Sequence, residues 1–348
     1  MMNPRWPAAA IVVAGIFGAT LASAADVPPY KPPPGPYAVK NVLLDWKDAQ
    51  RDRSVPVKIY YPDVPRGKFP VIVFSHGLGG SREGYGYLGQ FWASNGYVCV
   101  HLQHIGSDTS VWSDVPADKR MAALGEAAAS ITNFLNRAKD VKFALDQLEQ
   151  LNKEDPVFKS RLDLDHILMA GHYFGANTTL TAIGEVYIPI AGKKESTLAE
   201  ARIKAAVAMC EPVPASARDP DRAFGKIAVP CLHMTGTRDD SPIGSTKAAD
   251  RRIPFDHIPP NADQFLLILN GGDHMVFAGL GDFAESMIGK SKPGSSDLFH
   301  RIICQSTLAF WDAYLKSDAP AHKWLSEGPC KQFLGDNAAW EQKLAPAH

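Results

Sequence analysis

The stretch Gly171-His172-Tyr173-Phe174-Gly175 constrains this chain more than any other. Ahead of it, Ile167 to Gly171 reads as a short buried strand, and a helix starts near Gly175. A strand that becomes a helix within so few residues needs a sharp, strained turn. Glycines at its flanks remove the Cβ atoms that would strike neighbouring backbone. Such a turn thrusts its middle residue out beyond the end of the strand. In this chain that residue is Tyr173.

Three further motifs stand at the ends of predicted strands. Phe69 to Phe74 runs into Ser75-His76-Gly77-Leu78-Gly79-Gly80. Cys231 to Thr235 leads to Gly236-Thr237-Arg238-Asp239, with Asp240 beside it. Phe265 to Leu269 leads to Gly271-Gly272-Asp273-His274. Elbow, then acid, then histidine is the chain order of α/β-hydrolases. On this map Tyr173 stands at the nucleophile position and His274 is the general base. Asp239 is the preferred acid, with Asp240 as the alternative. The backbone N–H groups of Leu78 and Phe174 face a developing oxyanion.

The rest of the chain alternates strand-like and helix-like patterns. This predicts an α/β fold with a mainly parallel central sheet and helices on both faces. Val42 to Trp46 and Val55 to Tyr61 read as opening strands, Tyr97 to Gln103 and Ala205 to Cys210 as later ones. Gly84 to Asn95, Ala117 to Asn152 and Leu298 to Leu315 read as helices, and Glu185 to Arg202 as a small cap insertion. The aromatic residues Tyr85, Tyr87, Phe91 and Trp92 line the pocket if their helix faces the site, but are assigned first to helix packing against the sheet. His101 and His104 are spaced like metal ligands, but no acidic or Cys partner completes a site, so they read as structural and no metal is expected.

Val71 to Ser107, Gly171 to Gly175, Thr235 to Ile243 and Gly271 to Phe277 resemble the corresponding blocks of platelet-activating factor acetylhydrolases and of related secreted bacterial dienelactone-hydrolase-like proteins. The resemblance implies a carboxylic-ester hydrolase acting on a small-molecule ester, without metal or organic cofactor. In those families the elbow centre is Ser or Cys, and Tyr173 departs from both. The tyrosine hydroxyl overshoots the serine position by roughly 4 Å on standard bond lengths. Three readings follow. Tyr173 or a water activated by His274 attacks the ester; or the site binds an ester-like or hydrophobic molecule as a pseudoenzyme; or the tyrosine is a substitution in this copy alone.

Composition bears on partners and compartment. A net charge of -1 over 348 residues offers no basic face for nucleic acid. Arg5, the uncharged run Ala8 to Leu21 and Ala22-Ser23-Ala24 read as a signal peptide over residues 1–24. The apolar run is shorter than the roughly 20 residues of a stable membrane span, so a secreted or periplasmic protein is expected. Residues 25–36 form a Pro-rich lead-in, and 37–348 a single domain. An oxidising compartment permits disulfides. Of the five cysteines, Cys99, Cys210 and Cys231 fall in buried strands, which leaves Cys304 and Cys330 as the expected bridge. The exported protein is expected to begin at Ala25, and N-terminal sequencing that starts at Met1 rules this out.

Overall fold

The computed structural model describes residues 28–187, 196–213, 219–279 and 295–346. The expected signal peptide, its cut after Ala24, the start of the Pro-rich lead-in and part of the expected cap insertion lie outside the described residues.

Nine strands form one sheet: β1 (Val39–Asp48), β2 (Arg53–Pro62), β3 (Phe69–Ser75), β4 (Val98–Leu102), β5 (Leu162–His172), β6 (Ile203–Met209), β7 (Cys231–Arg238), β8 (Gln264–Asp273) and β9 (Ala338–Lys343). Their spatial order is β1-β2-β4-β3-β5-β6-β7-β8-β9. The six strands from β4 to β8 run parallel, while β1, β2 and β9 pair antiparallel at the two sides. From β3 the chain steps first to β4 on one side and then to β5 on the other. The carboxyl ends of β3 and β5 therefore flank the point where strand order reverses, the crevice in which open α/β sheets bind ligands.

The two sheet faces follow from the two-residue period of a strand. On β3, Ile72 and Phe74 join the core beneath helices α1 (Gly86–Ser94) and α5 (Ser295–Leu315). Val71 and Val73 join the opposite core, against α3 (Ile131–Glu154) and α4 (Phe174–Ile183). A strand covered on both faces must be apolar throughout, and every residue of β3 is buried. Trp92 of α1 meets Trp311 of α5 edge to face, with centroids 5.8 Å apart, as its expected packing role requires.

Three expectations need correction. The helix expected over Ala117 to Asn152 is two helices, α2 (Arg120–Ala129) and α3, because Ser130 adopts an extended backbone and its hydroxyl accepts from the Asn133 N–H at 3.2 Å. A serine that caps one helix stops the one before it. Strand β9 was not anticipated, since Ala338–Lys343 carries no strong strand pattern.

The Cys304–Cys330 bridge is absent, and all five cysteines are free and buried. Burial raises the Cys304 thiol of α5 and the Cys330 thiol above their ordinary range, as it does for side chains packed in an apolar core. Alkylation of denatured, unreduced protein is expected to label five thiols; two unlabelled cysteines would contradict this arrangement.

Candidate active site

The elbow is a backbone feature first. Tyr173 has φ 51 and ψ -111, a sparsely populated region for a residue with a side chain. Its N–H donates to the Met209 carbonyl of β6 at 2.8 Å. A Cβ on Gly171 would stand 2.2 Å from the Gly175 carbonyl oxygen, and one on Gly175 1.9 Å from that of Ser75. Both positions therefore exclude any larger residue.

Asp239 and His274 meet at this elbow. Asp239 lies just past β7 and is fully buried, and its Oδ1 is 2.7 Å from His274 Nδ1. Its Oδ2 accepts from Thr235 Oγ1 at 2.8 Å. Asp240, the alternative acid, instead turns outward to Lys247 Nζ and the Ala248 N–H, both at 3.0 Å. Arg251, which sequence reasoning missed, lies 3.1 Å from Asp239 Oδ1 and bonds the carbonyls of Asp239, Cys210 and Glu211. Burial opposes ionisation of Asp239, but the hydrogen bond and charge of His274 and the Arg251 guanidinium outweigh it and hold the carboxyl below its ordinary range. Burial lowers His274 below its ordinary value, with Asp239 pulling the other way.

The sequence-predicted oxyanion donors lie on either side of the elbow. Phe174 is the first residue of α4, where backbone N–H groups have no intrahelical partner. Leu78 sits in a loop tied by the Gly79 N–H to the Ser107 carbonyl at 2.9 Å, and by Trp112 Nε1 to the Gly79 carbonyl at 2.8 Å. Leu78, Tyr173 and Phe174 share one apolar cluster with Leu124 and Ala127 of α2.

Tyr85 and His172 join the two halves of the site, and neither role was foreseen. The Gly77 N–H donates to Tyr85 Oη at 3.2 Å, and Tyr85 Oη lies 2.8 Å from His172 Nδ1. His172 Nε2 lies 3.1 Å from the His274 carbonyl. A carbonyl only accepts, so Nε2 carries the proton and Nδ1 accepts from the phenol. Neither residue has a sequence signal for this, because the contacts span 87 and 102 positions.

The Tyr173 phenol is committed elsewhere. Its Oη donates to the Ile243 carbonyl at 2.5 Å, and its ring stands perpendicular to His274 with centroids 4.7 Å apart. Burial raises its pKa above the ordinary value, against hydrogen bonding from Ser241 and the charge of Arg251.

His172, Cys210 and His274 bring possible metal-ligand atoms within 4.8 Å of one another. The set does not fit a metal: both His172 nitrogens are engaged, His274 Nδ1 is held by Asp239, and burial raises the Cys210 thiol well above its ordinary pKa. The expected absence of acidic partners fails at His104, whose Nδ1 is 3.0 Å from Asp140. His101 packs on Phe74 with centroids 4.9 Å apart. A surface cleft around Lys40, Arg66, Lys159 and Arg161 shares no residue with this cluster.

A family model described as "Platelet-activating factor acetylhydrolase, isoform II" matches residues 39–327. A platelet-activating factor acetylhydrolase of Canis lupus familiaris is 28% identical over 145 residues, covering 34% of this chain and 32% of the relative. That of Cavia porcellus is 26% identical over 159 residues, covering 38% and 36%. That of Bos taurus is 28% identical over 144 residues, covering 34% and 32%. The matched segments span about a third of each relative's length.

The imidazole of His274 is expected to titrate below 6.5, its ordinary value. Asp239→Asn should lower it further, because the lost carboxylate favoured the charged ring while Arg251 remains. NMR titration of labelled histidine measures both; a pKa that rises in the variant contradicts the arrangement.

Proposed function

This chain belongs to the platelet-activating factor acetylhydrolase, isoform II, family, and we propose that it is a carboxylic-ester hydrolase in which His274 activates water while Tyr173 fills the elbow. One observation carries this reading. His274 Nδ1 is held by Asp239, and among the described residues Nε2 has no hydrogen-bond partner. With the Nδ1 proton directed at Asp239, the Nε2 lone pair is free to take a proton.

In the proposed reaction, water attacks the ester carbonyl carbon and passes a proton to His274 Nε2. Asp239 stabilises the imidazolium that results. The carbonyl oxygen becomes an oxyanion and accepts from the Leu78 and Phe174 N–H groups. The intermediate then collapses, the bond from acyl carbon to alkoxy oxygen breaks, and the imidazolium returns its proton to the departing alkoxide. Acid and alcohol are the products. Tyr173 is a poor nucleophile here, since its hydroxyl is bound to the Ile243 carbonyl and burial keeps it protonated. The relatives' name makes an acetyl ester the first substrate to test. Export through residues 1–24 and a single hydrolase domain over 37–348 belong to the same proposal.

The ring of Tyr173 against His274 favours a second reading, a pseudoenzyme that binds an ester-like or hydrophobic small molecule without turnover. Hydrolysis of p-nitrophenyl acetate separates the two. On the hydrolase reading, His274→Ala abolishes turnover and Tyr173→Phe stays close to wild type. Tyr173→Ser raises kcat/KM by about 10²-fold or more, a small part of what loss of the serine costs a serine protease. If Phe abolishes a robust activity that Ser does not increase, the phenol itself is the nucleophile. If wild type and all three variants are inert, the binding reading replaces the hydrolase one.

A further inference from the structure

Arg137 of α3 is 1% exposed, and among the described residues its guanidinium touches no carboxylate. Its Nε donates to Thr178 Oγ1 at 2.9 Å, one Nη to Ser107 Oγ at 2.9 Å, and the other to Ser75 Oγ at 3.0 Å and to the His76 carbonyl. The group also lies over the Phe174 ring, 4.6 Å from its centroid.

Those partners come from both sides of the elbow. Ser75 and His76 lead into the loop that carries Leu78, and the Ser107 carbonyl receives the Gly79 N–H at 2.9 Å. Phe174 and Thr178 belong to α4. The Arg137 contacts to Ser75, His76 and Ser107 thus hold one half of the site, and those to Phe174 and Thr178 the other.

Among the described residues, a hydrogen-bonded relay leads from Arg137 to an acid. Arg137 donates to Ser75 Oγ, which lies 2.9 Å from His104 Nε2, and His104 Nδ1 lies 3.0 Å from Asp140. A Ser75 hydroxyl that accepts from arginine gives its own proton to His104, which then donates to Asp140. Asp140 is in turn claimed by Arg53 at 2.8 Å and Arg51 at 2.9 Å. A buried charge is normally paired directly. Arg137 is held by neutral oxygens instead, and its positive charge is under-compensated at the base of the site. Burial draws its pKa down to about 9, with Asp140 opposing.

We propose that Arg137 is a positioning residue for the oxyanion hole, fixing the Leu78 and Phe174 amides against each other and biasing them with its charge. This rests on the hydrolase reading for its catalytic consequence, but not for the anchoring itself. A lysine keeps the charge yet cannot reproduce a planar donor fork with several partners.

The test uses the full chain, as wild type and as Tyr173→Ser, each combined with Arg137→Gln and Arg137→Lys. Arg137→Gln should speed hydrogen exchange at the Gly79 and Gly80 amides by about tenfold, the scale of losing charge-assisted hydrogen bonds, with exchange in β6 and β7 unchanged. In every background that hydrolyses p-nitrophenyl acetate, kcat should fall by about tenfold to a hundredfold, with KM held within about twofold. Arg137→Lys should recover part of kcat but not the exchange protection. Should Arg137→Gln fail to fold, Thr178→Val removes one of the same bonds and carries the same test. A folded variant with unchanged exchange, or with raised KM and unchanged kcat, overturns the proposal. If no background hydrolyses the ester, the hydrolase reading falls and exchange alone decides whether Arg137 anchors the loop.

Discussion

At Gly175 the first turn of α4 comes so near the Ser75 carbonyl that a Cβ would sit 1.9 Å from its oxygen. This approach fixes the distance between the end of β3 and the end of β5, the two strands that bracket the reversal of strand order. It also forces the turn between β5 and α4 into the positive-φ conformation that Tyr173 adopts. The strain is held by packing, since α4 is buried along its whole length and the Tyr173 N–H is tied to β6. Every polar group at the site takes its place relative to this junction.

Two buried guanidiniums flank the junction with opposite electrostatic roles. Arg251 contacts Asp239 and three carbonyls, so its charge is spent on keeping the acid ionised and the strand ends together. Among the described residues, Arg137 contacts only neutral oxygens and a ring face. Arginine suits both places because its planar fork satisfies several acceptors at once and it stays charged where lysine would readily lose its proton. Between them, Tyr85 and His172 carry a hydrogen-bond chain from the Gly77 amide to the His274 carbonyl. The glycine-rich loop and the histidine loop are thus coupled through the side chains of Tyr85 and His172.

The parallel strands and the motifs at their ends were legible in the sequence because each is a local pattern, an apolar run closed by glycines. Asp239 was preferred over Asp240 from motif order alone, and it is Asp239 that meets His274 while Asp240 turns to Lys247. What stayed hidden is non-local. The partner of His104 lies 36 positions away, and Tyr85 meets His172 across 87. Arg251 sits in a short helical turn with no motif around it. The break at Ser130 was readable in principle, since serine is a strong N-cap, but the apolar period continues across it. The missing disulfide shows the limit of inference from compartment, because permission to form a bond says nothing of which way two side chains point.

Strand β9 has a consequence for behaviour in solution. It pairs with β8 along Gln264 to Leu269, a segment containing Phe265, Leu266, Leu267 and Ile268. Without that cover, β8 would present a row of unpaired amides and carbonyls beside strongly apolar side chains, a template for joining a second chain edge to edge. The opposite margin is guarded differently, with Lys40, Asp45 and Lys47 spaced along β1. A polar, unremarkable tail segment therefore acts as protection against self-association, and shortening the chain ahead of Ala338 would trade a sealed sheet for an adhesive one.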